Sequence, residues 1–114
     1  MESTRTHAVA VKQLAALASE HRLDVFRALV RAGNTGLAAG QIAQKLGLPA
    51  SSLSFHLSHL RESGLVSDER RGRSIIYRAD FGRMRGLLDY LLEECCADED
   101  CTANLVAAQE QRTE

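Results

Sequence analysis

Apolar positions recur at helical spacing over the first third of the chain. An apolar residue falls every three or four positions across residues 11–18, which predicts a first helix there. Residues 20–32 repeat this spacing after Ser19, a residue type that commonly caps a helix start. The positions of the second helix that we expect to face inward are Leu23, Phe26, Leu29 and Val30. Gly33 is a typical helix stop, so residues 33–36 predict a loop.

Two closely spaced helices follow this loop. The first is short and ends at Gly47, and its inward positions are Ile42, Ala43 and Leu46. The second is predicted over residues 50–63, between Pro49 near its start and Gly64 after its end. Three leucines lie within about 60° of one another on its helical wheel, a narrow stripe typical of a buried edge. These leucines are Leu53, Leu57 and Leu60.

The pattern then changes to that of two short strands. Residues 65–69 and 74–79 predict the strands of a hairpin, and the sequence RRGR at 70–73 forms its tip. A last helix is expected over residues 81–94. Its apolar face comprises Met84, Leu87, Leu88, Leu91 and Leu92. This order of elements predicts a mainly α fold with a β-hairpin wing, a winged helix-turn-helix.

Charge is divided unevenly along a chain of 114 residues, a length typical of one domain. Residues 5–85 carry 13 Lys and Arg against 6 Asp and Glu, a net of +7. The two ends carry 1 against 9, a net of −8. A basic body fits a polyanionic partner such as nucleic acid, because Lys and Arg neutralise phosphates. The alternative is a solvated basic surface with a solubilising acidic tail.

The sequence shows no pattern typical of a secretory signal or of a membrane-spanning segment. Lys12 and Gln13 interrupt the apolar stretch near the N-terminus, which disfavours a secretory signal. No apolar run reaches the roughly 18 residues that span a bilayer. The three cysteines are odd in number and clustered, which favours a reducing cytoplasm. We therefore expect a cytoplasmic protein with one domain over residues 1–94 and a cysteine-containing tail over residues 95–114.

The helix over residues 50–63 is the predicted recognition helix for double-stranded DNA. Its outward face carries mostly short polar side chains that allow close approach to a major groove, with one apolar ring able to contact a thymine methyl group. The candidate DNA contacts on this helix are Ser51, Ser52, Ser54, Phe55, Ser58 and His59. The alternative is an ordinary polar helix face.

The hairpin tip adds a second candidate DNA contact. Arg70, Arg71 and Arg73 surround Gly72, and clustered cations at a tight turn suit a minor groove or a row of phosphates. The alternative is a solvated turn. Asp68 and Glu69 reduce the positive charge beside it, so some of these cations need not face DNA.

The histidines are poor candidates for metal ligands. His56 lies at the edge of the leucine stripe, where we expect a packed and hydrogen-bonded side chain rather than a metal ligand. His7 and His21 have no partners at ligand spacing. The histidines therefore predict no metal site.

A cysteine cluster follows the last helix. Cys95 and Cys96 are adjacent and Cys101 follows five residues later. Adjacent side chains sit about 100° apart on a helix, so the chain must turn there for both sulfurs to meet one ion. Three thiolates suit a trigonal thiophilic ion. Incidental cysteines, a thiol redox switch and a zinc or cadmium site with auxiliary carboxylates remain alternatives. Those carboxylates are Asp98, Glu99 and Asp100.

An enzyme built on these thiols is disfavoured. A reactive thiolate is stabilised by cationic neighbours, whereas the flanking residues here are acidic. No catalytic base or nucleotide-binding loop accompanies the cysteines. A constitutive DNA-binding architectural protein is the other competitor, and it would not need a cysteine cluster.

The motifs together resemble the ArsR/SmtB family of metal-responsive winged-helix repressors. The resemblance covers residues 8–92 and is carried by HRLDVFRAL at 21–29 and QIAQKLGLPASSLSFHLSHLRESGLVSDERRGRSIIYR at 41–78. It implies a homodimer formed through the first and last helices. It also implies two recognition helices about 34 Å apart, one DNA turn, on a two-fold operator.

Both familiar metal sites of that family are missing from this sequence. Residues 37–43, LAAGQIA, lack the cysteine pair of arsenic-sensing members. Zinc-sensing members have Asp and His ligands on the last helix, whereas Asp89 here has no histidine near it. The only cluster of soft ligands is at the C-terminal end. We therefore expect a repressor that leaves its operator when arsenite, As(III), or antimonite, Sb(III), binds Cys95, Cys96 and Cys101. The alternative is a repressor that responds to zinc or cadmium, or to thiol oxidation.

Overall fold

The computed structural model describes residues 2–98 of the chain, with side chains described from residue 6 onward. Its helices are α1 (Glu2–Leu17), α2 (Glu20–Ala32), α3 (Ala39–Leu46), α4 (Ala50–Glu62) and α5 (Phe81–Leu92). Its strands are β1 (Leu37–Ala38), β2 (Val66–Arg71) and β3 (Ser74–Ala79), and a 3₁₀ turn spans Gly33–Thr35. No helix in residues 2–98 has the length and hydropathy to cross a membrane.

The core lies where α2, α3 and α4 meet the base of the hairpin. The most deeply buried side chains come from all four of these elements and are Val25, Leu29, Ile42, Leu53, Leu60 and Leu65. Leu57 is buried beside them, so the leucine stripe predicted for the recognition helix faces inward as expected. The predicted winged helix-turn-helix is confirmed.

Helix caps include the predicted Ser19 and Gly47, and also Asp80, which was not predicted. Ser19 Oγ accepts the backbone N–H of Arg22 at 3.4 Å at the start of α2. Asp80 Oδ1 accepts the N–H of Arg83 at 3.0 Å at the start of α5. Gly47 adopts the left-handed conformation after α3. These caps set the ends of the helices that hold the hairpin and the helix-turn-helix.

The sheet has three strands in the order β1–β3–β2. In the antiparallel hairpin, Asp68 lies opposite Tyr77 and Arg71 opposite Ser74. The chain turns at Gly72 and Arg73, with positive φ at Gly72 but not at Arg73, as in a type II′ hairpin turn. The two residues of β1 were not predicted as a strand, because their pairing with β3 is a contact between distant parts of the chain.

The inward face of α2 differs from the prediction. Leu23 and Val30 are 43% and 40% exposed, whereas Val25 is fully buried beside Phe26 and Leu29. Two overlapping stripes are possible on this helix, one through Leu23 and one through Val25. Packing against α4 favours the second, because it brings Val25 and Leu29 into the core around Leu53 and Leu60. The predicted burial of Phe26 and Leu29 is confirmed, whereas that of Leu23 and Val30 is wrong.

The two terminal helices expose apolar side chains in the single chain. Helix α1 contains the predicted helical stretch from residue 11 and extends back to Glu2, and α5 ends at Leu92, before the predicted residue 94. On α5 only Leu87 is buried. The exposed apolar residues of α1 and α5 are Val9, Val11, Leu14, Phe81, Leu88, Leu91 and Leu92. Dimerisation through these helices stays a prediction.

Gly36 joins the 3₁₀ turn to β1 with φ +70°, and a Cβ atom there would lie 2.6 Å from the carbonyl oxygen of Tyr77. With ψ at −174°, Gly36 lies in a backbone region that is essentially restricted to glycine, so Gly36→Ala meets both backbone strain of about 1–3 kcal/mol and a backbone clash. We expect a larger loss of unfolding free energy than for Gly33→Ala, where φ is +64° but nothing lies within 4 Å. Urea unfolding at fixed protein concentration measures both. Equal losses would show that the close approach of β3 does not matter.

Candidate DNA-binding surface and cysteine site

The outward face of α4 presents the predicted contact residues to solvent. Phe55 is 60% exposed, an unusual state for a large apolar ring. Ser51, Ser52 and Ser54 are exposed beside it in the N-terminal half of the helix. Further along, Ser58 and His59 are half-buried. The most accessible part of the surface is therefore the N-terminal half of α4.

An aromatic pair stiffens this face. The rings of Phe55 and His59 meet edge to face with centroids 4.6 Å apart. Such geometry is favourable for aromatic rings and limits their rotamers. The pair places an apolar edge and a ring nitrogen side by side, one turn apart on the same helix. That combination can contact both a methyl group and a hydrogen-bonding base edge.

Two acids anchor the wing instead of merely reducing its charge. Asp68 Oδ2 accepts a hydrogen bond of 2.9 Å from Arg61 Nη1 at the end of α4. Glu69 Oε1 accepts one of 2.7 Å from Arg78 Nη1 on β3, and Arg71 Nε lies 3.6 Å from the same oxygen. The hydrogen bond from Arg78 holds the pKa of Glu69 below its ordinary value, with Arg71 adding to the effect. The carboxylate is therefore the favoured form.

Arg78 also ties the hairpin to the body of the domain. Its Nε donates a hydrogen bond of 2.7 Å to the carbonyl oxygen of Asn34 in the 3₁₀ turn. Together with the Arg61–Asp68 pair, this fixes the wing against α4 and the turn. The roles of Arg61 and Arg78 were not predicted from the sequence, because their partners are brought close only by folding. The two acids of β2, Asp68 and Glu69, in an otherwise basic hairpin were the available signal.

Of the three wing arginines, two point away from these pairs. Arg70 and Arg73 are exposed, and within residues 2–98 neither forms an ion pair. Arg71 lies in the strand and approaches Glu69. The structure thus brings the predicted cations together at one tip while giving Arg71 a partner within the hairpin.

His56 lies on α4 behind its outward face and has a buried ring nitrogen. Its Nδ1 atom is buried without a hydrogen-bond partner, so the predicted hydrogen bond is absent at that nitrogen. Its ring lies 5.6 Å from that of His21 at the start of α2, a contact that the sequence did not suggest. Burial, together with the nearby His21, Arg22 and His59, lowers the pKa of His56. The neutral ring is therefore favoured.

The cysteines follow a tight turn after α5. Cys96 adopts a left-handed conformation with φ +61°, and the sulfurs of Cys95 and Cys96 lie 3.5 Å apart. This is the departure from helical geometry that adjacent ligands require. Cys96 is disulfide-bonded. Cys101, the third predicted ligand, lies outside the described residues. Within residues 2–98 no three His, Cys, Asp or Glu residues are grouped to hold a metal ion.

Comparisons with known proteins agree on one class. A family model described as a helix-turn-helix domain matches residues 17–69. The transcriptional activator HlyU of Vibrio cholerae is 30% identical over 95 residues, which cover 83% of this chain and 85% of HlyU. The nodulation protein NolR of Rhizobium meliloti is 35% identical over 92 residues, which cover 81% and 73%.

Solved structures give the same answer. An ArsR-like transcriptional regulator from Rhodococcus sp. RHA1 superposes with a TM-score of 0.71 at 28% identity, covering 96% of each chain. The chain belongs to the ArsR family of winged-helix transcriptional regulators. Reduced HlyU of Vibrio cholerae has a TM-score of 0.64 at 29% identity, covering 83% of this chain and 97% of HlyU.

One further structural relative is a homodimer. The winged helix-turn-helix DNA-binding domain Mb0332 of Mycobacterium bovis has a TM-score of 0.64 at 26% identity, covering 80% of this chain and 84% of that one. This ArsR-family chain is accordingly a DNA-binding transcriptional regulator, and its relatives are regulators rather than enzymes.

The wing prediction concerns salt dependence. Replacing Arg70 and Arg73 with alanine should flatten the slope of log affinity against log salt by about 0.9 for each phosphate that the protein no longer neutralises. Arg71→Ala should act less, because that side chain approaches Glu69. Arg85→Ala, on α5, is the matched control. Anisotropy titrations with random duplex at several salt concentrations give the slopes. A slope unchanged by the Arg70 and Arg73 substitutions would remove the wing from phosphate binding.

The His56 prediction concerns stability against pH. Its pKa is lower in the folded than in the unfolded chain, where it is about 6.5. Below pH 6.5 the unfolded chain takes up the proton first, so this group's contribution to stability is lost as pH falls towards its folded pKa. We expect His56→Gln to lose less unfolding free energy than the parent between pH 7.5 and 5.5. His21→Gln, which removes one cause of the shift, should be intermediate. If the unfolding free energy depended on pH identically in the parent and both variants, the lowered pKa of His56 would be contradicted.

Proposed function

We propose that this chain is a dimeric transcriptional repressor that leaves its operator when As(III) or Sb(III) binds the thiolates of Cys95, Cys96 and Cys101. The observation that carries the proposal is the separation of 3.5 Å between the sulfurs of Cys95 and Cys96. Two thiolates bound to one ion at about 2.3 Å, with an angle between about 90° and the tetrahedral value, stand about 3.3–3.8 Å apart. The turn at the end of α5 thus holds two sulfurs at a spacing that one soft ion can bridge.

The third ligand in the proposal is Cys101, five residues beyond the turn. A trigonal thiophilic ion takes three thiolates, and these are the three cysteines of the chain. The disulfide at Cys96 must be reduced before the ion binds. Reduction releases the thiols, and binding of the ion then displaces their protons.

A route from the cysteines to the DNA-binding surface runs through α5. The hydroxyl group of Tyr90, five residues before Cys95, shares a hydrogen bond of 2.8 Å with His7 Nδ1 on α1. Leu87 of α5 is buried one turn earlier. An ion that draws the cysteines together reshapes the end of α5 and displaces α1 with it. In the proposed dimer this shifts one recognition helix relative to the other.

The size of the required effect is modest. A coupling free energy of about 1–3 kcal/mol corresponds to a 5–150-fold change in operator affinity. By linkage, operator DNA must weaken binding of the ion by the same factor. A two-half-site contact is sensitive to small misplacements of the recognition helices, so a local change at α5 is sufficient.

The test is release of labelled operator DNA measured by fluorescence anisotropy, with a phosphine reductant that does not itself supply thiols. Arsenite should release the operator DNA from the parent protein. The Cys95→Ser and Cys96→Ser variants should still bind the DNA but should not release it when arsenite is added. Cys101→Ser should lose the response to inorganic arsenite. A methylated arsenical that takes two thiols should still release the Cys101→Ser variant. If arsenite released the DNA from all three variants as it does from the parent, the inducer would bind at another site.

A second candidate is a thiol redox switch, favoured by the disulfide at Cys96. HlyU, one of the relatives, has been solved in a reduced form. Here oxidation of two thiols to a disulfide, with an oxidant of the peroxide class accepting the two electrons, would alter the same turn. In an anisotropy assay of reduced protein from which the phosphine has been removed, release of DNA by peroxide without arsenite, reversed when the phosphine is added back, would favour this candidate. The same assay with zinc and with cadmium in place of arsenite tests the remaining alternative, a repressor that responds to those ions.

A further inference from the structure

A groove separates the two terminal helices. It has a volume of about 310 Å³ and lies between α1 and α5. Its apolar wall is formed by Val9, Ala10, Gly86 and Leu87. Small-molecule sites in proteins begin at about 300 Å³ and combine an apolar lining with a few polar groups. The groove is therefore large enough for one aromatic ring or a short aliphatic chain.

Gln13 places a polar group inside this apolar groove. Its side chain lines the groove and the residue is only 4% exposed. Within the described part of the chain, no hydrogen bond reaches its amide. In the described part of the chain, His56 Nδ1 is the buried side-chain polar atom without a partner, so the unbonded Gln13 amide keeps contact with solvent in the open groove. An amide in this state suits a ligand that brings its own polar atom.

The charge of the groove favours an anion. Arg83 is the charged residue of the described lining, and no carboxylate accompanies it there. Its Nε lies 3.6 Å from Asp80 at the helix start, while a guanidinium has five N–H donors in total. Tyr90 adds a hydroxyl group on the same side of α5. Thr6 of α1 adds a second hydroxyl group, so the polar groups comprise one cation, one amide and two hydroxyl groups around an apolar wall.

We propose that the groove between α1 and α5 binds a small apolar molecule with one carboxylate, such as an aromatic or short aliphatic acid. The carboxylate meets Arg83, the Gln13 amide donates to an oxygen, and the apolar body packs on Val9 and Leu87. Such a site is separate from the cysteines in chemistry. Since it lies between the helices expected to pair two subunits, its occupation also changes operator affinity.

The test is binding of benzoate and octanoate to the full chain, followed by ligand-observed NMR. The parent and a variant with all three cysteines changed to serine are measured side by side, so that binding is separated from thiol chemistry. Both should bind, and benzamide, which lacks the charge, should bind at least tenfold more weakly. Arg83→Gln should lower the affinity for benzoate at least tenfold and leave the affinity for benzamide unchanged. Gln13→Leu should weaken both.

Gly86→Leu provides the sharpest variant. A Cβ atom at Gly86 meets nothing within 4 Å, so the larger side chain fills the groove without straining the helix. It should abolish benzoate binding while circular dichroism stays unchanged. Gly82→Leu, the same change on the same helix but outside the lining, should bind benzoate like the parent.

Three results would overturn the proposal. The first is failure of the parent to bind either acid. The second is equal affinity for benzoate and benzamide. The third is that Gly86→Leu converts a dimer to a monomer in sedimentation, which would show that a second copy of the chain fills the groove. None of these results depends on whether arsenite releases DNA, so the two proposals can fail separately.

Discussion

Burial of three leucines on one edge of α4 determines where the recognition face can lie. Leu53, Leu57 and Leu60 are buried against α2 and the base of the hairpin, and each contributes about 1.5–3 kcal/mol. Because these side chains point inward, the serines and Phe55 of α4 are directed outward. The rotation of α4 about its own axis is thus set by packing. Any polar chemistry on its outer face depends on that hydrophobic contact.

Electrostatics then fixes the wing relative to this helix. A DNA-binding hairpin made only of cations would repel itself, yet β2 contains Asp68 and Glu69. Their partners Arg61 and Arg78 come from α4 and β3, so each acid joins two elements. These pairs are partly exposed, and each alone contributes little to stability. Their effect is geometric, since they hold the side chains that surround the tip while Arg70 and Arg73 stay outward.

Local signals predicted most of the fold. The cap at Ser19, the stop at Gly47 and the leucine stripe depend on neighbouring residues, and sequence carries that information directly. The rotation of α2 and the strand β1 depend on distant partners, so periodicity placed Leu23 and Val30 wrongly and did not identify Leu37 and Ala38 as a strand. The same distinction holds at the candidate site. The turn at the cysteines followed from helical geometry, but the His21–His56 contact required the folded chain.

Strand order has a consequence for solubility. With the order β1–β3–β2, the strand at one edge of the sheet is β2, whose outer backbone groups are available to pair with another chain. Five of its six residues are exposed, and four of them in succession are charged, from Asp68 to Arg71. Charged side chains on an edge strand discourage another strand from adding to the sheet. The residues that position the wing therefore also guard this small sheet against aggregation.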